Sequence, residues 1–234
     1  MQFQAPESLA EQIAQHVGRQ IITGQLQAGE RIQEMRIASE LQVSRGSVRE
    51  ALLILERRYL VDIFPRRGAA VSYLTAEHVV ALYDMYEVLL KLLVTRFMTR
   101  WDETDIVPLV NQLQRINKLV LAEEPDIAAI IEAGFELMEL CYPRVANPYL
   151  KDTLDNLRPA ISRTYYLAMR QKPEELFRSM QFFNHIVKAV QEQDMREAET
   201  LIARFAKDQR ALILGVLAGD PPMADMASGG RPAP

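Results

Sequence analysis

The chain has a single cysteine, Cys141, and three scattered histidines in 234 residues, so neither an internal disulfide nor a Cys/His zinc framework can hold it together. It also lacks a long uninterrupted apolar run. The longest, Val79 to Phe97, is broken by Asp84, Glu87 and Lys91, whereas a membrane span needs about 20 mostly uncharged residues. The opening MQFQAPESLAEQ has no basic start followed by an apolar stretch, so no secretory signal is expected and the cytoplasm is the expected compartment. There is no G-x-S-x-G, no glycine-rich phosphate loop and no His-Glu-x-x-His, which favours a binding protein over an enzyme. What is present is the composition of a folded soluble protein. Hydrophobic residues make up 49% and charged residues 25%, which excludes collagen, a repetitive fibre or disorder for most of the chain. At about 100 to 200 residues per domain, the length allows one large domain or two small ones.

The net charge of -4 conceals a division. Residues 1–74 hold nine Arg, no Lys and eight acids, a balance of +1, and residues 75–234 hold the other 18 bases and 23 acids, a balance of -5. Between Val43 and Arg67 stand Arg45, Arg49, Arg57, Arg58, Arg66 and Arg67 against Glu50, Glu56 and Asp62. A nucleic-acid surface needs only such a local basic stripe, so the acidic total does not argue against one.

The first 74 residues read as three helices and a hairpin. Leu9, Ile13, Val17 and Ile21 recur at steps of four, Ser8 is a capping residue with Glu11 three positions on, and Gly24 ends the pattern, which predicts a helix over 8–23 with one buried face. After the turn LQAGE, a short helix over 33–41 buries Ile37 and Leu41. Ser44 is a good N-cap for a third helix over 45–58, in which Val48, Leu52 and Leu55 face inward while Arg45 and Arg49 share an outward ridge. The segments YLVDIF and AAVSYL, joined by PRRG, read as a β-hairpin. This order and length match a winged helix-turn-helix. In that architecture a recognition helix enters the major groove, where Arg can reach guanine with both prongs of its fork. The basic tip Arg66-Arg67-Gly68 would meet a phosphate or the minor groove, with Gly68 allowing close backbone approach.

The segment IITGQLQAGERIQEMRIASELQVSRGSVREALLILERRYLVDIFPRRGAAV resembles the DNA-binding domain of the GntR family of bacterial transcription regulators over roughly residues 8–74. Its elements are I-x-x-G-x-L-x-x-G-E-R, L-x-V-S-R-x-x-V-R-E-A-L and a basic R-R-G wing. The resemblance implies operator contacts by Arg36, Arg45, Arg49 and Gly68, with Ser44 and Ser47 as phosphate contacts. Two positions depart from the usual pattern: Ala28 stands where proline is common, and Tyr59 where glycine commonly follows the recognition helix.

From Thr75 to about Leu217 the sequence reads as helix throughout, over 76–100, 103–122, 125–142, 147–170, 173–193 and 194–217, with breaks at Trp101-Asp102, Pro125, Asn147-Pro148 and Lys172-Pro173. Six helices with short links make an antiparallel bundle. Residues 219–234, with four Pro, three Gly and few bulky apolar side chains, are expected to be a disordered tail. The expected domains are therefore 1–74, 75–218 and this tail, and the fold class is mainly α.

Through LYDMYEVLL, VANPYL and AVQEQDMREAETLI, the bundle resembles the FCD domain, the effector-binding domain of the FadR subfamily. Many such domains hold a divalent metal on an Asp, a His four residues later, and two further His from the last two helices. By alignment the late positions fall at Phe183 and Phe205, which cannot bind a metal. The early pair falls at Glu132 and Glu136, or at Gly134 and Met138, according to whether two residues are inserted before Asn147. Tyr86 stands where an effector-facing arginine is common. The resemblance therefore implies an effector pocket around Tyr86, Glu132, Glu136, Phe183 and Phe205, with the metal lost and no other cofactor.

Each of these residues also has a plainer role. Glu132 and Glu136 suit an exposed acidic face as well as a metal pair. His78 and His185 suit the surface or the core, Cys141 suits a small buried hydrophobe, and the aromatic positions suit packing. Taken together, the sequence leads to a ligand-responsive regulator, most simply a repressor. It would bind a palindromic double-stranded DNA operator as a homodimer, respond to a small-molecule effector and have no membrane partner. The alternative is a small-molecule binding protein or helical enzyme with a vestigial DNA-binding head.

Overall fold

The computed structural model describes residues 8–219. Helix α1, Leu9–Ile22, starts where the Ser8 side chain accepts a hydrogen bond from the Glu11 amide at 3.2 Å, and it buries Ile13, Ala14, Val17 and Ile21. A two-residue strand, β1 (Arg31–Ile32), follows. The turn before it needs Gly29, whose φ is +76° and whose amide donates to the Val71 carbonyl at 2.9 Å. A Cβ there would lie 2.1 Å from the Tyr73 hydroxyl oxygen, the mobile end of an exposed side chain, so it is the backbone angle that requires glycine.

Helices α2, Glu34–Glu40, and α3, Arg45–Arg57, form the helix-turn-helix. Strands β2, Val61–Phe64, and β3, Gly68–Val71, form the wing. The sheet order is β1-β3-β2, all antiparallel, with Arg31 opposite Ala70 and Phe64 opposite Gly68. β1 is absent from the sequence expectation, because two residues are too few to show a period. The head's core gathers Val17, Ile21, Val48, Leu52, Leu55 and Leu60, each fully buried aliphatic contributing about 1.5 to 3 kcal/mol.

The rest of the described chain consists of helices joined by short links. Helix α4, Ala76–Met98, is capped by Thr75, which accepts from the His78 amide. Helix α5, Glu103–Val120, opens with a reciprocal capping box between Asp102 and Asp105. The helix expected over 125–142 is two: α6, Ile127–Glu139, and a single turn, α7, Tyr142–Val145. The chain leaves α6 through Leu140 and Cys141, and α7 ends at Ala146 with φ +48°. Pro143 can sit inside that turn because an early helical position needs no amide donor. Helices α8, Pro148–Gln171, α9, Glu174–Gln191, and α10, Met195–Gly219, complete the bundle. Of the expected tail, Gly219 closes α10 and residues 220–234 lie outside the described residues.

Helix α8 also touches the head. Arg163 donates to the Ser72 carbonyl at 2.9 Å and to its hydroxyl at 3.2 Å, and the Asn156 side chain donates to the Arg57 carbonyl at 2.9 Å. Among the described residues, no helix is long and apolar enough to cross a membrane.

Candidate nucleic-acid interface and internal cavity

In the head, α3 and the wing flank an open groove of about 860 Å³ whose lining includes Arg31, Arg45, Arg49, Arg66 and Gly68. Helix α3 presents Arg45 and Arg49 one turn apart, with side chains 56% and 61% exposed. Both reach Glu34 at the start of α2: Arg49 Nε lies 2.8 Å from its carboxylate and Arg45 3.7 Å. One carboxylate thus parks two guanidinium groups on the groove floor. The Ser44 hydroxyl caps α3 by accepting from the Ser47 amide at 3.0 Å, and the two hydroxyls lie 2.9 Å apart. At the wing tip Arg66 has φ +63° and Gly68 φ +82°, so the turn projects Arg66 and Arg67 into solvent.

The expected contact residues are therefore not all in one place. Arg45, Arg49, Arg66 and Gly68 line the groove. Ser44 and Ser47 stand at the start of α3, and Arg67 sits at the hairpin tip. Arg36 lies on the exposed face of α2 and pairs with Glu40 at 2.7 Å. Sequence reasoning missed Arg31, which is exposed on β1 close enough that a Cβ on Gly68 would lie 3.8 Å from its guanidinium. Its signal was available: it is the arginine of the G-E-R turn.

In the bundle, α4, α6, α8, α9 and α10 enclose a cavity of about 90 Å³. Tyr86, Phe183 and Phe205 line it, as expected. Glu132 and Glu136 do not, which corrects the expected pocket. Glu132 is exposed and pairs with Arg158, while Glu136 is bound by Arg115 and by the Gln112 side chain. Those partners lie on α5 and α8, so they turn the acidic face of α6 outward. The inward face carries Gly134 and Met138, the pair that aligns without an insertion. Phe183 fills the space that glycine leaves, since a Cβ on Gly134 would lie 2.7 Å from its ring. Phe182 stacks on Phe205 at 4.0 Å between centroids and 12° between planes.

Facing the cavity from α6, α9 and α10 are Gly134, Met138, Phe183 and Phe205. They supply one weak thioether donor and no imidazole or carboxylate, so they do not fit a divalent cation. His185 is exposed and outside the lining. No cluster of three or more His, Cys, Asp or Glu with metal-binding geometry occurs among the described residues. Burial raises the Tyr86 and Tyr165 phenols above their ordinary range, so both are neutral donors. Burial, with a smaller contribution from Asp105, pushes the Cys141 thiol up to about 12, which leaves it a protonated, unreactive group.

Two family models match this chain: the gntR family of bacterial regulatory proteins over residues 9–71, and the FCD domain over residues 81–208, more than half of the chain. The chain belongs to the GntR family, as an FCD-domain member. It is 29% identical over 170 residues to the gluconate operon transcriptional repressor of Bacillus subtilis (strain 168), covering 70% of this chain and 67% of that protein. The HTH-type transcriptional regulator YdhC of the same organism is 30% identical over 143 residues, covering 61% and 63%. The chain thus spans about two thirds of the length of each. Among solved structures, E. coli McbR/YncC superposes with a TM-score of 0.77 at 19% identity, covering 91% of this chain and all of that one. A transcriptional regulator GntR from Rhodococcus sp. RHA1 gives 0.70 at 22% identity, covering 89% and 99%. The winged head and helical bundle of this GntR-family regulator are therefore a shared fold, and its relatives are transcription regulators rather than enzymes.

Proposed function

We propose that this GntR-family protein is a repressor that binds a palindromic operator as a homodimer and is released by a small molecule held in the α4–α10 bundle, without a metal. The observation that carries the reading is the ridge of Arg45 and Arg49, exposed on α3 and facing the wing across one groove. A single head with a few base contacts discriminates weakly, and two equivalent heads square the selectivity. The repressor role is taken from the name of the B. subtilis relative. Gluconate, in that name, suits this cavity poorly, because a polyhydroxy carboxylate needs many hydrogen-bonding partners and the wall is apolar.

Footprinting on DNA upstream of its own gene, with binding measured at several salt concentrations, tests the reading. Two inverted half-sites are expected, and replacing Arg66 or Arg67 by Ala should weaken all sequences alike and flatten the salt dependence. Protection of one asymmetric half-site by a monomer would overturn it.

A further inference from the structure

The cavity wall states what kind of molecule it can hold. It is built from side chains such as Leu93, Phe97, Ile130, Leu137, Ile186 and Ile202, and no charged side chain is part of it. A carboxylate or ammonium placed there would lose its water and find no counter-charge. Arg158 lies over the Phe135 ring at 4.9 Å from its centroid and is held by Glu132 and Glu139.

The few polar atoms on the wall are engaged, with one exception. The Tyr86 hydroxyl donates to Met138 Sδ at 3.4 Å and is linked to Tyr165, and Cys141 Sγ lies 3.8 Å from the Leu137 carbonyl. Ser179, on α9 one turn before Phe183, is 2% exposed, and among the described residues its hydroxyl has no hydrogen-bond partner. A helical serine commonly bonds back to the preceding turn; this one does not. A buried hydroxyl without a partner costs stability, and alanine at this position would avoid the cost. A water molecule is a poor remedy, because it needs two to four polar partners and the other polar groups on this wall are already engaged.

Size narrows the class further. The cavity is about 90 Å³, while an apolar cavity of about 150 Å³ accepts benzene. The difference is less than one aromatic side chain. Phe183 can supply it, being half-buried and seated over Gly134 where no side chain opposes it.

We propose that this cavity binds an uncharged, mainly apolar molecule about the size of one ring, carrying a single hydroxyl, carbonyl or neutral amine that pairs with the Ser179 hydroxyl. The assignment rests on the reading of the bundle as the sensing domain and adds to it the chemistry of what is sensed.

Phenol, benzene and benzoate test it, since they share a ring and differ in the polar group. Binding to the full-length protein is measured by calorimetry and thermal shift near neutral pH, without DNA. Operator affinity of the same protein is measured separately, so failure of the ligand assignment and failure of the operator reading are distinguishable. Phenol should bind at least about fivefold more tightly than benzene, and benzoate at least about tenfold more weakly than phenol. In Ser179→Ala the preference for phenol over benzene should vanish. The ligand-free variant should also melt about 2 to 4 °C higher, because the unpaired hydroxyl is gone. Benzoate binding as tightly as phenol, a phenol preference that survives Ser179→Ala, or failure of all three probes to bind would overturn the assignment.

Discussion

Replacing Arg49 by Ala perturbs the proposed DNA contact with little effect on the fold, since its side chain is 61% exposed. A bidentate arginine–guanine contact is worth about 1 to 3 kcal/mol of discrimination. Against this, the free protein already gives Arg49 a partner in Glu34 at 2.8 Å, and an exposed pair of this kind is worth about 0.2 to 1 kcal/mol. Taking about 2 for the contact and about 0.6 for the pair surrendered leaves about 1.4 kcal/mol per half-site, or tenfold in Kd. A two-fold operator would then lose about a hundredfold, while non-specific DNA, which loses only one charge contact per head, changes far less.

Glu34 supplies the internal control. Glu34→Gln releases both Arg45 and Arg49 and should tighten specific binding by about two- to fivefold per half-site. In that background Arg49→Ala should cost about thirtyfold per half-site, because no ion pair is given up in compensation. Fluorescence anisotropy with the footprinted operator at about 50 to 200 mM salt reads all four proteins. Operator affinity within twofold of wild type in Arg49→Ala, or weaker binding in Glu34→Gln, would refute the recognition-helix assignment.

Two further outcomes follow from single residues. Tyr59 adopts φ +60° just after α3 and is 62% exposed, so Tyr59→Gly should relieve about 1 kcal/mol of left-handed strain and raise the melting temperature of the head by about 4 to 8 °C; a lower midpoint would mean that the ring's contacts outweigh the backbone cost. With its thiol pushed up to about 12 by burial, Cys141 should resist a disulfide reagent at pH about 8, where roughly one thiol in ten thousand is ionised; immediate labelling of one thiol per chain in native buffer would contradict the burial.

The parts of the fold most legible in the sequence are those written in local chemistry. Ser8, Ser44, Thr75, Asp102 and Asn147 each cap the helix that begins beside them, because a short side-chain oxygen satisfying an orphan amide is a signal one residue wide. Tyr59 looked like a departure from a glycine position, and the backbone there keeps the glycine-like angle regardless. The break between α6 and α7 is marked only by Pro143, two residues past Cys141, and the apolar period that runs across Leu140 and Cys141 masks it. The two faces of α6 could not be told apart either. Glu132/Glu136 and Gly134/Met138 have the same spacing, and only the arginines arriving from α5 and α8 decide which pair faces out. Ser179 was visible as a polar residue in the apolar stripe Leu176, Ser179, Phe183, Ile186, but a stripe does not show whether its hydroxyl finds a partner.

The geometry of α8 ties the cavity to the head. Three consecutive residues point three ways: Arg163 holds the Ser72 carbonyl of the segment between wing and bundle, Thr164 bonds the buried Tyr83 hydroxyl at 2.8 Å, and Tyr165 lines the cavity against Phe205. Ser72 in turn donates to the Tyr59 carbonyl at 2.9 Å, just beyond the end of the proposed recognition helix. A helix is stiff along its backbone ladder and its packed neighbours move in discrete steps rather than continuously. A molecule that displaces the Tyr165 ring therefore acts on the same rigid body that grips the head at Arg163 and Asn156. In the proposed release by a small molecule, the head would then be freed, or re-aimed, without any change in its own core.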